Sequence, residues 1–227
     1  MLKLDWSDLL GNRLASLAYR WLPRFATRSR LAYNRRRFAG QMRYLEIGPG
    51  QEVLSGFERY DIQRTGQSDY VGDARDVSIF GDEEFDLIYA SHVLEHIPWY
   101  QTAHVLCQWK RILKKGGALE IWVPDGLKIA RAYLDASLTG AQDFQMDGWY
   151  RFNEQRSADL WFSGRMFSYG DGTGRGDDPN WHRAAFSEYF LAALLQQAGY
   201  SSVEKLSSCD VRGYDHGWIN LGVRAVK

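Results

Sequence analysis

Cysteine is almost missing: Cys107 and Cys209 are the only two in 227 residues, with no CxxC pair and no framework spacing. A disulfide scaffold is excluded, and a reduced, cytoplasmic chain is expected. Long hydrophobic runs are missing too. No stretch approaches the roughly 18 apolar residues of a membrane span. The N-terminal stretch lacks the basic, apolar, small-residue order of a signal peptide, so secretion is not expected. Net charge is also absent, with 28 basic and 28 acidic residues.

The overall neutrality hides an uneven distribution. Residues 1–43 hold ten Lys and Arg against Asp5 and Asp8, a surplus of eight balanced by an acidic remainder. Such an arm suits an anionic partner, a membrane surface or the acidic body itself, and solvated helices capping a sheet would look the same. Peripheral membrane contact through this arm is one expectation; the oligomeric state is left open. With 45% hydrophobic and 25% charged residues, the rest reads as one globular domain with extensions. The division expected is a basic helical extension over 1–42 and a main domain over 43–227, with 140–182 an insertion.

The most informative stretch is Tyr44-Leu45-Glu46-Ile47-Gly48-Pro49-Gly50. An apolar run that breaks into glycines reads as a central parallel strand opening into a ligand loop. Glu46 stands inside the run, where a carboxylate is costly unless it is paired or serves a ligand. An ordinary strand-turn is the alternative for these seven residues alone.

Around it the chain alternates. Residues 6–22 and 24–38 read as helices of the arm. Strands are expected at 43–47, Phe57–Ile62, Ser68–Asp73, Glu84–Ala90 and Ala118–Val123. The first crossover is too short for the usual helix. Residues 101–113 form a helix whose stripe is Val105, Trp109, Ile112 and Leu113, with Lys114-Lys115-Gly116-Gly117 as its stop. Another helix covers about 126–137. Residues 140–182 read as a long irregular insertion, rich in glycine and with Trp149, Trp161 and Trp181 as lid or binding surface. A helix from Phe186 to Gly199 and strands at Val203–Ser207 and Trp218–Val226, an antiparallel edge pair, complete the chain. The fold class is α/β: a Rossmann-like, doubly wound, mostly parallel sheet with an antiparallel C-terminal strand and an N-terminal helical arm.

These residues resemble the class I S-adenosylmethionine-dependent methyltransferases. The likeness rests on Leu45–Gly50, Asp61, Gly72–Asp76, Phe85–His96 and Leu113–Asp125, and more loosely on His182, Phe186, Leu194-Leu195 and Ala198–Tyr200. It is nearest a bacterial, methyltransferase type 11-like branch found around surface-polysaccharide loci. The resemblance implies S-adenosyl-L-methionine as cofactor and a small-molecule or glycan acceptor. It places Gly48, Pro49 and Gly50 against the methionine part, with Glu46 orienting the loop or facing the ammonium. Asp61, with Ile62, would take the ribose hydroxyls, and Asp73 with the Ala74 N–H would read adenine. Ser91 and His92 would close over the reacting methyl, and His182 or His92 would be the base. The usual third glycine of the loop is replaced by Gln51-Glu52-Val53, which tells against a phosphate-bearing dinucleotide.

Three rival readings use the same residues. His92-Val93-Leu94-Glu95-His96 spells the H-x-x-E-H pattern of inverted zinc peptidases, which needs both histidines on one helix. No downstream third ligand has that family's spacing, so no metal is expected. A histidine hydrogen-bonded in a loop is the plain alternative for His182. A catalytically silent protein keeping the fold is the non-enzymatic alternative, against which Asp61 and Asp73 speak. Nucleic acid is not expected as a partner: the body is acidic, and neither Asn-Pro-Pro-aromatic nor Pro-Cys occurs.

Overall fold

The computed structural model describes residues 27–50, 52–139, 152–168 and 172–227. The helix expected at 6–22, Trp149 and the first part of the insertion lie outside them. A helix over residues 27–37 (α1) opens the described chain. The strands are β1 (Tyr44–Ile47), β2 (Phe57–Asp61), β3 (Tyr70–Val71), β4 (Phe85–Ser91), β5 (Leu113–Pro124), β6 (Ser202–Leu206) and β7 (Asn220–Val226). The remaining helices are α2 (Thr102–Ile112), α3 (Gly126–Thr139), α4 (Ala158–Phe167) and α5 (Glu188–Gln197). The strands form one seven-stranded sheet in the order β3-β2-β1-β4-β5-β7-β6. All neighbours are parallel except β7, which runs antiparallel to β5 and β6. The order reverses between β1 and β4, where open α/β sheets place their ligands.

Burial follows the apolar runs. Leu45 and Ile47 of β1, Ile88 and Ala90 of β4, and Leu119, Ile121 and Val123 of β5 are enclosed with Val105, Trp109 and Ile112 of α2. The Trp109 ring N–H donates to the Ala74 carbonyl at 2.9 Å, which satisfies the polar end of a fully buried indole. No helix among the described residues is long and apolar enough to cross a membrane.

The described part of the arm is fastened to the body. Arg30 pairs with Asp69 at 2.7 Å, Arg35 with Glu84, and buried Arg43 with Glu58 and Glu84, each at 2.8 Å. From α1, the Asn34 amide donates to Glu58 and to the Tyr70 hydroxyl. Basic residues just before β1 thus neutralise carboxylates at the amino ends of the strands.

Several expectations need correction. The helix expected to run to Leu113 ends at Ile112, and Leu113 already lies in β5. Gly116 and Gly117 make a bulge rather than a helix stop: the register jumps from Phe85↔Leu113 to Leu87↔Ala118. Gly116 has φ +73°, and a Cβ on Gly117 would sit 2.9 Å from the Lys114 carbonyl. The third strand is only Tyr70–Val71 and stops short of Asp73. Part of the segment expected to be irregular is helix α4, capped by Ser157, whose hydroxyl accepts from the Leu160 N–H. Trp161 is no surface residue. It is fully buried in a second small core with Ile129, Ala136 and Ile219, and stacks on Trp218 at 6.3 Å between ring centres.

Candidate active site

At the carboxyl ends of β1 and β4 a cavity of about 460 Å³ is lined by Glu46, Gly48, Pro49, Gly50, Tyr89, Ser91 and His216, among others. The glycines shape its floor. Gly48 has φ +66°, its N–H donates to the Tyr60 carbonyl, and an added Cβ would lie 2.4 Å from a Val93 methyl. Gly50 has φ +60°.

Glu46 sits opposite Tyr89 across the β1–β4 ladder and is 4% exposed. Oε2 has no hydrogen-bond partner among the described residues. Burial raises this carboxyl to about 7, while Arg59 and a hydrogen bond from the Leu54 backbone pull the other way. The apolar run of β1 therefore delivers a buried acid with one unpartnered oxygen into the cavity. The acid also ties down Leu54, just beyond the glycine turn.

The far wall comes from the segment between β6 and β7. The Tyr89 hydroxyl accepts from the Arg212 and Gly213 N–H groups at 3.3 and 3.4 Å. Arg212 and Arg224 both bind the buried Glu120 carboxylate. So held, the segment places the His216 ring 3.7 Å from that of His92, centre to centre. Burial and then the nearby His92 charge push the His216 imidazole down to about 4. Tyr89, Tyr214 and His216 were not foreseen; the only signal was the aromatic and histidine content of Tyr214-Asp215-His216 just before the last strand.

His92 leaves β4 with φ +54°. Its N–H donates to the Trp122 carbonyl at 2.8 Å, Nε2 lies 2.8 Å from Asn220 Oδ1, and Nδ1 lies 3.0 Å from Glu95 Oε1. Both ring nitrogens are thus engaged. Burial lowers the His92 pKa, but Glu95 and Asn220 outweigh it and hold the imidazole above its ordinary value. The positive φ also corrects the zinc-peptidase geometry. A short 3₁₀ turn, Leu94–His96, follows, so His92 and His96 do not share a helix face.

His182 arrives from elsewhere. The Arg183 and Ala184 N–H groups both donate to the Glu95 carbonyl, at 2.6 and 3.1 Å, and the His182 N–H donates to Phe167 at the end of α4. The His182 ring ends 5.0 Å from that of His96. Burial lowers it to about 4, with the Glu95 charge opposing. Burial also disfavours the Glu95 charge, yet His92, His96 and His182 together hold that carboxyl at about 2.

Asp61, Ile62, Asp73 and Ala74 do not line the 460 Å³ cavity. Asp61 ends β2 and accepts from the Gln63 N–H at 2.6 Å. Asp73 accepts both Arg75 Nε contacts at 3.0 Å. Burial works against its ionisation, but Arg75 prevails and holds it below the usual carboxylate range. It borders a separate cavity of about 400 Å³ with Tyr100, Gln101 and His104.

Residues 37–121 match the family model described as "Methyltransferase domain". No curated protein matches the chain. Among solved structures, an S-adenosylmethionine-dependent methyltransferase from Thermotoga maritima is similar at 19% identity, covering 95% of this chain and 97% of that one, with a TM-score of 0.46. One from Archaeoglobus fulgidus is 15% identical, covering 93% and 99%, with a TM-score of 0.48. The methyltransferase CalH, solved with S-adenosylhomocysteine, is 17% identical over 82% of this chain and 51% of that one, at a TM-score of 0.43. The chain spans about half the length of several such structures. Residues 37–121, which carry β1 to β4, the glycine turn and most of β5, are thus the part of the chain that is similar to the methyltransferase domain family.

Proposed function

We propose that the 460 Å³ cavity receives the methionine end of S-adenosylmethionine and that the chain methylates a hydroxyl or amine of a small molecule or glycan. The observation that carries this reading is the buried, unpartnered Glu46 oxygen beside the Gly48-Pro49-Gly50 turn. A buried carboxylate asks for a cation, and the cofactor's ammonium is one. Bound there, the cofactor supplies a methyl group already activated on a positively charged sulfur. It carries no phosphate, which suits a turn lacking the third glycine.

The residues then hold and exclude. Gly48 and Gly50 admit close backbone approach, Asp61 and Ile62 take the ribose side, and Asp73 with Ala74 takes the adenine once Arg75 gives way. Ser91 and His92 close the wall near the methyl. Since charge at sulfur is lost in the reaction, alignment and exclusion of water are the chief services of the protein. The acceptor proton we assign to His216, which lines the cavity and is neutral at pH 7. His92 has both nitrogens engaged, and His182 faces Glu95. A glycan of surface-polysaccharide assembly is the acceptor class that the sequence resemblance favours.

Calorimetry with S-adenosylmethionine and S-adenosylhomocysteine tests the reading. Both should bind, and Asp61→Ala should weaken S-adenosylhomocysteine by about 1.5–3 kcal/mol, the value of a hydrogen bond to a charged group. A folded chain that binds neither compound overturns it.

A further inference from the structure

Behind the cofactor cavity, Glu95 is 1% exposed, and no donor among the described residues reaches Oε2. His92 Nδ1, 3.0 Å from Oε1, pairs with the carboxylate from one side. On its other side Glu95 meets His96 and His182, and one ligand atom from each of the three lies within 4.8 Å of the others. Ionised carboxylates at such depth are paired or coordinate a metal.

The imidazoles are prepared as ligands are. His96 Nδ1 lies 3.3 Å from the Trp181 carbonyl, so that nitrogen carries the proton and Nε2 keeps its lone pair. The His182 ring is hydrogen-bonded to the Arg165 backbone, which commits one of its nitrogens in the same way. Metal-bound histidines are held in their tautomer by such bonds from the second nitrogen. His92, behind Glu95, orients the carboxylate. His96 and His182 are only partly buried, which leaves an ion a way in.

We propose that Glu95, His96 and His182 form a binding site for a divalent first-row transition ion, zinc foremost. Two imidazoles and one carboxylate are the donor set of open zinc sites, which keep a fourth position for water or substrate. Magnesium and calcium prefer oxygen ligands and suit this set poorly. The three atoms lie within 4.8 Å of one another, a span comparable with the roughly 3.4 Å between ligands of a tetrahedral zinc bound at about 2.1 Å. The metal-free expectation rested on the want of a third ligand; in this proposal His182 supplies it, delivered by the backbone bonds of Arg183 and Ala184 to Glu95 rather than by sequence spacing.

The site stands apart from the cofactor reading and is tested with metal alone. Untagged full-length chain, stripped with a chelator, is titrated with Zn²⁺ by calorimetry and with Co²⁺ by visible absorption. About one ion per chain should bind, with the intense d–d bands of low-coordinate cobalt. His96→Ala and His182→Ala should each weaken Zn²⁺ by about 100-fold or more while circular dichroism shows a folded chain. Glu95→Gln should do likewise, and the two partly exposed histidines keep the test decisive if that buried variant fails to fold. His104→Ala, outside the cluster, should bind as the parent does. Binding well below one equivalent, or affinity unchanged in His182→Ala, overturns the proposal.

Discussion

Replacing Glu46 by Gln should stabilise the free protein above neutral pH and cost it the cofactor. In the folded chain the carboxyl is raised from 4.5 to about 7 by burial. Between those values the folded state keeps a proton that the unfolded state has released, so stability falls as pH rises from about 4.5 to 7 and stays low above. Two and a half pKa units at about 1.36 kcal/mol each amount to roughly 3 kcal/mol of destabilisation at pH 8. Gln cannot ionise and escapes that loss. Urea unfolding of both proteins at pH 5 to 8 should show near equality at the acid end and a Gln advantage approaching 3 kcal/mol at the basic end, reduced by any unpaired amide. S-adenosylhomocysteine should tell the opposite story. Its ammonium requires the ionised acid, so affinity for the parent should climb as pH rises through 6 and 7, with proton release, and be weak and flat in Gln. A stability difference that does not change with pH refutes the buried, unpaired state of Glu46; unchanged affinity refutes its place at the ammonium.

Other perturbations probe separate parts. Arg43→Met strands buried Glu58 beside Asn34 and Tyr70 and should cost about 3–5 kcal/mol in urea unfolding, with part recovered when Glu58→Gln is added. Gly48→Ala forces φ +66° on a residue with a Cβ and pushes that carbon against Val93. It should cost about 1–3 kcal/mol, of which Val93→Ala returns the steric share and leaves the backbone share. Once an acceptor is found, His216→Ala should lower kcat by about 10²–10⁴ with little change in S-adenosylhomocysteine affinity. Unaltered turnover would move the base elsewhere.

What could be read ahead of the structure was whatever lay local in the chain. Apolar runs marked β1, β4 and β5 because strands buried on both faces need little else. Glu46 was conspicuous because a carboxylate within such a run demands a reason. α4 was hidden because its apolar residues serve a second core with α3 and Trp218, among glycines and charges that read as loop. The bulge at Gly116 and Gly117 has the sequence of a helix stop, since glycine supplies positive φ in both settings. The Tyr89–Arg212 and Glu95–Arg183 bonds join segments far apart in sequence, and their donors are backbone N–H groups, which carry no residue signature. The walls they build, with His216 and His182, arise from contacts between segments remote in the chain.

The run Ser91–His96 looked like one motif and is two. A residue with a Cβ pays roughly 1 kcal/mol or more in the left-handed region, so His92 needs compensation at φ +54°. It receives a backbone bond to Trp122 and a side-chain bond to Asn220, itself held by Asp215 at 2.7 Å. The reversal leaves Ser91 on the 460 Å³ cavity and turns Glu95 and His96 towards His182. His92 stands between, its ring against His216 on one side and Glu95 on the other. A shift of Glu95 or of the segment from Asp215 to Asn220 must therefore be felt through His92 in the neighbouring site. His92 touches His216 of the cavity and Glu95 of the cluster, so on the two proposals His92→Ala should disturb both at once, lowering cofactor affinity and metal affinity together, whereas Ser91→Ala should touch the first alone.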